Sequence, residues 1–278
     1  MIQLGGDVRR ASAQPESSTV SAETQGSMKR LAKLVLRGMG YEISRIESSV
    51  SREYRGHVME FVEQSVPIRF LVSNKNDLIQ SRHHAGGFYE PEELEIISRY
   101  FRRKWVFVDI GANVGNHSVF AGRVLGASKV IAFEPSPASF GTLEINLALN
   151  GLDGITTVYM AGVSDRDGVA NLHCPDENNL GRSIITDSAQ GVDISILRGD
   201  RVLADQHVDF MKIDVEGHEI QCMKGLSLTV ERCKPVIFVE VDNHNLESFV
   251  SLIEESGYVV LERFRRYSGN ENFLISPR

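Results

Sequence analysis

The residues best able to do chemistry here are two acids set at the ends of apolar runs. Asp109 follows Val106-Phe107-Val108, and Glu134 follows Ile131-Ala132-Phe133. After Asp109 comes a small-residue turn, Ile110-Gly111-Ala112-Asn113-Val114-Gly115-Asn116-His117, and then an amphipathic run from Ser118 to Leu125. In an open α/β sheet, ligands bind beyond the carboxyl ends of the strands. Two carboxylates on adjacent strand ends, with a glycine turn between them, therefore describe a pocket for a ribose-bearing ligand.

Phosphate is not what this turn grips. A dinucleotide fingerprint needs Gly-x-Gly-x-x-Gly so that backbone amides can approach a pyrophosphate. Only Gly111 and Gly115 are glycine here, while Asn113 and Asn116 carry side chains. Asp109 would also repel phosphates in a partly desolvated site. A cationic ligand is favoured: S-adenosylmethionine carries a sulfonium and an ammonium, and its two ribose hydroxyls match an acid such as Glu134. A nicotinamide-dependent oxidoreductase is the first alternative, and a binding protein without turnover the second.

A further dense segment is Val208-Asp209-Phe210-Met211-Lys212-Ile213-Asp214-Val215-Glu216-Gly217-His218-Glu219. Another apolar run ends in Asp214, and ionisable residues crowd the turn behind it. Acids and imidazole suit several divalent ions, but no His-x-x-x-His or cysteine pair reinforces them, so no metal is assigned. Glu216 and Glu219 also fit a helix first turn, where acids are favoured by the dipole.

The elements that must position these residues follow from periodicity. Strands are expected at 106–110, 129–134, 155–160, 208–213, 235–241, 258–263 and 271–276, and helices at 115–125, 138–149, 217–228 and 245–256. Pro91 starts another helix running to about Arg102. Alternating strands and helices argue for a mostly parallel sheet with helices on both faces. The last two strands have only a turn between them, around Tyr267 to Asn270, and so must be antiparallel. The section 164–205 interrupts the alternation with two extended pieces, Val169 to Cys174 and Val192 to Leu197. Upstream, residues 56–72 read as two short strands, with Val66-Pro67 between them or at an edge. Residues 1–27, rich in Ser, Gln, Gly, Thr and Ala, read as a disordered tail. Met28, Leu31, Leu34, Val35 and Met39 recur at helical spacing among basic residues. That helix is expected to pack on the main domain rather than to lie on an anionic membrane. Three regions result: a tail at 1–27, a helix and short strands at 28–85, and the main domain at 86–278.

The chain of 278 residues, 42% of them hydrophobic, can bury one sizeable core. A formal net charge of −7 argues against general affinity for nucleic acid. Cys174, Cys222 and Cys233 have no metal-ligand spacing and read as reduced thiols of a cytoplasmic protein. No apolar run has the composition of a secretory leader or approaches the roughly 20 residues of a membrane span.

Three motifs carry a resemblance: Val108-Asp109-Ile110-Gly111-Ala112-Asn113-Val114-Gly115-Asn116-His117-Ser118, Ala132-Phe133-Glu134-Pro135, and Lys212-Ile213-Asp214-Val215-Glu216-Gly217-His218-Glu219. Together they resemble the FkbM family of S-adenosylmethionine-dependent methyltransferases, over roughly residues 86 to 276. The resemblance implies a Rossmann-like class-I methyltransferase fold, with O-methylation of hydroxyls on sugars, glycans or secondary metabolites. It implies that Asp109, Gly111, Asn113, Gly115 and Asn116 surround the methionine part of the cofactor and that Glu134 holds the ribose. Pro135 with Ala161 and Val163 would border the adenine, and Asp214 would face the methyl end. Tyr89 and Glu90 would close the pocket, and the loop Asn179 to Ser183 would be a lid or substrate contact. An alcohol acceptor must lose its proton as it attacks. His218 is the first choice of base, since its ordinary pKa lies near neutrality; Asp214, Glu216 and Glu240 are alternatives. His83, His84, His207 and His244 read as loop or surface residues.

Overall fold

The computed structural model describes residues 55–174, 183–186 and 191–278. The expected tail, the basic helix at 28–39 and most of the loop Asn179 to Ser183 lie outside the described residues. Residues Gly56–Arg278 form one compact unit.

The central sheet has seven strands: β3 (Val106–Ile110), β4 (Lys129–Phe133), β5 (Thr156–Tyr159), β10 (Phe210–Ile213), β11 (Val236–Asp242), β12 (Tyr258–Phe264) and β13 (Asn270–Pro277). Their order is β12-β13-β11-β10-β3-β4-β5. The five strands from β11 to β5 are parallel, and β13 runs antiparallel to both β11 and β12. The expected C-terminal hairpin is therefore present, with β13 inserted between β11 and β12.

Alternation along the strands separates two cores. Val108, Ile110, Met211, Ile213, Ile237 and Val239 face one side. There they pack on α5 (Glu219–Gly225), α6 (Ser227–Cys233) and α7 (Leu246–Glu255), through Ile220, Met223, Val230, Phe249 and Ile253. On the other side Phe107, Phe210 and Phe238 meet Ile96, Ile97 and Phe101 at α2 (Pro91–Tyr100). Ala132 on that side lies beneath Val119, Phe120, Leu143 and Leu147 of α3 (Asn116–Arg123) and α4 (Pro137–Leu149). Each large apolar side chain buried this way contributes about 1.5–3 kcal/mol. The same alternation sends Asp109 and Lys212, which pair in register, to the side of α3.

The upstream hairpin is β1 (His57–Glu63) and β2 (Val66–Val72). Its turn is Gln64-Ser65, both at positive φ. Pro67 sits within β2 opposite Val62, in a two-stranded sheet where a missing N–H is tolerated. Ile68 and Phe70 of β2 join the core with Phe88, Phe120 and Leu143. Helix α1 (Leu78–His84), capped by Asp77 accepting from the Gln80 amide at 2.9 Å, was not expected from periodicity. The interrupting section forms a second sheet in the order β6-β9-β7-β8, from Gly162–Ser164, Val192–Arg198, Gly168–His173 and Ile184–Thr186. The expected helix 217–228 is divided at Leu226 into α5 and α6.

Candidate active site

A cavity of about 660 Å³ opens beyond the carboxyl ends of β3, β4, β10 and β11. That volume lies within the range of small-molecule sites. The β12–β13 turn, Tyr267 to Asn270, forms part of its wall, and Ala161 to Val163 and Ser183 to Ile185 form another part.

At the β4 end, Glu134 is nearly buried, with 6% exposure. Its Oε2 accepts from the Asn113 amide at 2.7 Å and its Oε1 from the Ser136 amide at 2.8 Å. Asn113 reaches it from a left-handed conformation, φ 50°, which asparagine tolerates better than most residues. Burial pushes the Glu134 carboxyl up to about 7, against the pull of the two amides and of Lys212.

The β3 end explains the first glycine. Gly111 has φ 78°, and a Cβ there would lie 1.8 Å from the Asp214 carbonyl oxygen. The residue is demanded by the approach of two adjacent strand ends as well as by the cavity it lines. Gly115 starts α3 at φ 91°, where a Cβ would sit 2.8 Å from Leu143 Cδ1. It packs on α4 and is not part of the cavity wall.

Asp109 is likewise absent from the wall and has no exposure. Its side chain points to the sheet face under α3, where Ser118 Oγ donates to it at 2.6 Å and Lys212 Nζ lies 4.0 Å away. Asp109, expected beside the cofactor, lies behind the cavity wall and supports it from below. Lys212, not singled out in the sequence, is the residue supported: its Nζ donates to Asp214 Oδ2 at 2.9 Å and to the Gly111 carbonyl at 3.3 Å. Burial alone would lower the Lys212 pKa, but Asp214 and Asp109 outweigh it and hold the ammonium charged. A lysine within the apolar run Phe210 to Ile213 was the available signal.

Asp214, Glu216 and Glu240 bring carboxylate oxygens within 4.8 Å of one another in the wall. Asn270 Nδ2 donates to Glu240 Oε1 at 2.6 Å. Burial, then Asp214, Glu216, Glu93 and Glu90, push the Glu240 carboxyl up to about 10. Glu93, behind the wall, is raised by burial to about 7. An ordinary glutamate titrates near 4.3, so over this range the folded protein holds protons that the unfolded chain releases. Their contribution to stability is fully present below pH ~4.3 and is lost as pH rises through about 7 and then about 10. The melting temperature should be several degrees lower at pH 9 than at pH 6. Glu240→Gln should flatten the decline above pH 7, and unchanged slopes in parallel melts would contradict that.

His218 stands apart from these acids. Its Nε2 lies 3.0 Å from Ser164 Oγ, and it is not in the cavity wall. The turn from Asp214 to His218 carries its ring past the strand end to β6, so the histidine expected to be the base is not beside the cavity. Asn116 lines the cavity but its amide is committed: Oδ1 accepts from the Tyr89 amide at 2.9 Å and Nδ2 donates to the Tyr89 carbonyl at 3.0 Å. His83, expected at the surface, has no exposure and stacks on Phe70 with ring centroids 3.8 Å apart. Its Nε2 is 3.0 Å from Asn116 Oδ1, so it orients that amide from behind.

Tyr89, Glu90, Pro135, Ala161 and Val163 all line the cavity. Tyr89 and Tyr267 hydroxyls meet at 2.9 Å across the chain's two ends of the wall. Lining residues missed in the sequence are Lys212, His117, Asp242, Tyr267 and Asn270. Apart from Lys212, these are isolated polar residues on a turn, at strand ends or at a helix start, and carry no periodic signal.

A doubly wound sheet with the reversed pair β13-β12 at one edge, and acids at its strand ends, defines the class-I methyltransferase fold. The family model described as "Methyltransferase FkbM domain" matches residues 109–260, and the chain belongs to that family. Methyltransferase 1 of Beauveria bassiana is 26% identical over 143 residues; the match takes in 43% of this chain and 57% of that protein, so the chain spans little more than half of its length. The hexuronic acid methyltransferase AglP of Haloferax volcanii is 26% identical over 217 residues, covering 76% of this chain and 84% of AglP. A crystal structure of methyltransferase FkbM from Methylobacillus flagellatus aligns with 61% of this chain and 43% of its own, at 17% identity and a TM-score of 0.45. No helix among the described residues is long and apolar enough to cross a membrane.

Proposed function

We propose that the protein transfers a methyl group from S-adenosylmethionine to a hydroxyl on a sugar, glycan or secondary metabolite. The observation that carries this reading is Glu134, held rigidly by two amides at the rim of an acid-lined cavity. A carboxylate has about four lone-pair sites, so after accepting two amides Glu134 retains capacity for both ribose hydroxyls. Lys212 is the only Lys or Arg in the described wall, and Asp214 already engages it. That donor set suits a sulfonium and an ammonium and disfavours a pyrophosphate, which weakens the nicotinamide alternative.

When bound, S-adenosylmethionine supplies an electrophilic methyl group on sulfur. The chain's own residues hold and align the reactants. Gly111, Asn113 and Asn116 border the amino-acid part, with Asp109 acting through Lys212. Pro135, Ala161 and Val163 flank the base, and Tyr89 and Glu90 close the near side. Alignment of acceptor with methyl is the main source of rate. Asp214 takes the acceptor's proton: it lines the cavity, and Lys212 orients its carboxylate. Glu240, kept protonated by its surroundings in the free protein, hydrogen-bonds the acceptor rather than deprotonating it. AglP, by its name, acts on a hexuronic acid, which supports a sugar acceptor here. The acids Asp214, Glu216, Glu240 and Asp242 favour a part of that acceptor without negative charge, and speak against nucleic acid.

Glu134→Ala tests the reading. Hydrogen bonds to a charged group contribute about 1.5–3 kcal/mol, so S-adenosylhomocysteine should bind roughly 10–100-fold more weakly by calorimetry. Unchanged binding, or a thermal shift with NAD and none with S-adenosylhomocysteine, would refute it.

A further inference from the structure

Two segments far apart in sequence meet where the cavity wall reaches solvent. One is Tyr89, just ahead of α2; the other is the β12–β13 turn, whose Tyr267, Ser268 and Gly269 line the same cavity. Their phenols join them: the Tyr89 and Tyr267 hydroxyl oxygens lie 2.9 Å apart, and Tyr267 is 42% exposed. Burial, then Glu90, push the Tyr89 hydroxyl above the ordinary tyrosine range, so it keeps its proton. The backbone on either side of this bond is pinned. Asn116 accepts from the Tyr89 amide and donates to the Tyr89 carbonyl. Across the cavity, Arg266 donates to Glu92 Oε2 at 2.6 Å and to Glu93 Oε1 at 3.3 Å. Glu93 is buried, so its pairing is screened less than a surface one. The turn's other flank is held by Asn243, whose Nδ2 donates to the Ser268 carbonyl at 2.7 Å and whose amide donates to the Gly269 carbonyl at 3.0 Å. Swinging the turn aside would break these contacts together. Rotating the Tyr267 ring away from Tyr89 breaks a single neutral bond at the surface, worth only about 2–10-fold in an equilibrium.

We infer that Tyr267 is a side-chain gate of this cavity: latched to Tyr89 it bars the opening, and its rotation, not movement of the turn, admits and releases the ligand. This rests on the proposed function for the ligand, S-adenosylmethionine and its product, and adds to it the step that controls exchange. Rotamer changes of exposed side chains take picoseconds to nanoseconds, whereas lid motions extend to milliseconds. Passage in either direction is then set by the fraction of time the ring is turned away. The latch therefore slows entry and exit alike and leaves affinity unchanged, which separates a gate from a binding contact.

Surface plasmon resonance with the full chain and S-adenosylhomocysteine reads both rates. Tyr267→Phe keeps the ring and removes the latch, so association and dissociation should each quicken about 2–10-fold, while Kd stays within about two-fold. Tyr89→Phe should do the same. The double variant should be no faster than either single one, because the two hydroxyls make one bond. Arg266→Gln loosens the turn and leaves the latch, so it should quicken the rates less than Tyr267→Phe does. Larger increases in Arg266→Gln would make the turn the moving part and overturn the side-chain gate. Faster dissociation alone, with affinity lost, would mean that the phenols grip the ligand, and would overturn it as well. So would additive effects in the double variant, or unchanged rates in all three tyrosine variants. Wild-type protein that binds no S-adenosylhomocysteine would sink the proposed function and the gate's assigned ligand with it, whereas failure in the variants alone leaves that function standing.

Discussion

Lys212→Met is expected to lower the unfolding free energy by about 3–5 kcal/mol, the usual loss when one partner of a buried ion pair is removed. The lysine side chain is 4% exposed and stands between Asp109, with no exposure, and Asp214. Methionine fills much of the same volume, so packing contributes little to the loss. What changes is charge: Asp109 keeps only its hydrogen bond from Ser118, and burial already raises its pKa. Without the lysine charge that opposes burial, its pKa should rise further. Urea denaturation gives the stability, and Asp109→Asn combined with Lys212→Met should recover part of it, because the carboxylate then left without the lysine is that of Asp214, which is partly exposed to solvent. A loss under about 1 kcal/mol, typical of exposed pairs, would show that the three groups are not coupled as the geometry indicates.

Asp214→Asn should reduce kcat by about 10²–10⁴-fold, the range attributed to general acid–base catalysis. Asparagine keeps an oxygen to accept from Lys212 Nζ, so the wall and the affinity for S-adenosylhomocysteine should change only a few-fold. His218→Gln serves as the contrast. With its ring on Ser164 and outside the wall, that variant should retain turnover within about three-fold. Formation of S-adenosylhomocysteine with an acceptor found by screening measures both. Should Asp214→Asn stay within three-fold of wild type while Glu216→Gln falls, Asp214 is not the proton acceptor.

Much of the architecture was legible because it rests on local patterns. The run Val106 to Ile110 and the amphipathic stretch after it could only be a strand feeding a helix, and both lie within a few residues of expectation. The short turn at 267–270 left no length for a crossover, so the antiparallel edge followed from chain geometry. Helix α1 was not legible: seven residues, Leu78–His84, provide too few turns for a hydrophobic stripe to register. The strands β6 and β8, three residues each, are defined by their partners rather than by their own composition.

For the site, the sequence by itself determined which strand ends carry acids and that the turn at Gly111 is unsuited to phosphate. Those conclusions need only residue types and their order along one strand–turn–helix unit. The tertiary structure alone decided which acids reach the cavity. Asp109 lies one residue before the end of β3, so the pleat turns it to the face under α3, where it meets Lys212 from a strand a hundred residues away. His218 lies four residues past Asp214, and the course of that turn directs its ring to β6. His117 and Glu90 come together only because α3 and the start of α2 border the same opening. Side-chain direction at a strand end depends on pleat, and contact between distant segments depends on packing; neither is encoded in spacing along the chain.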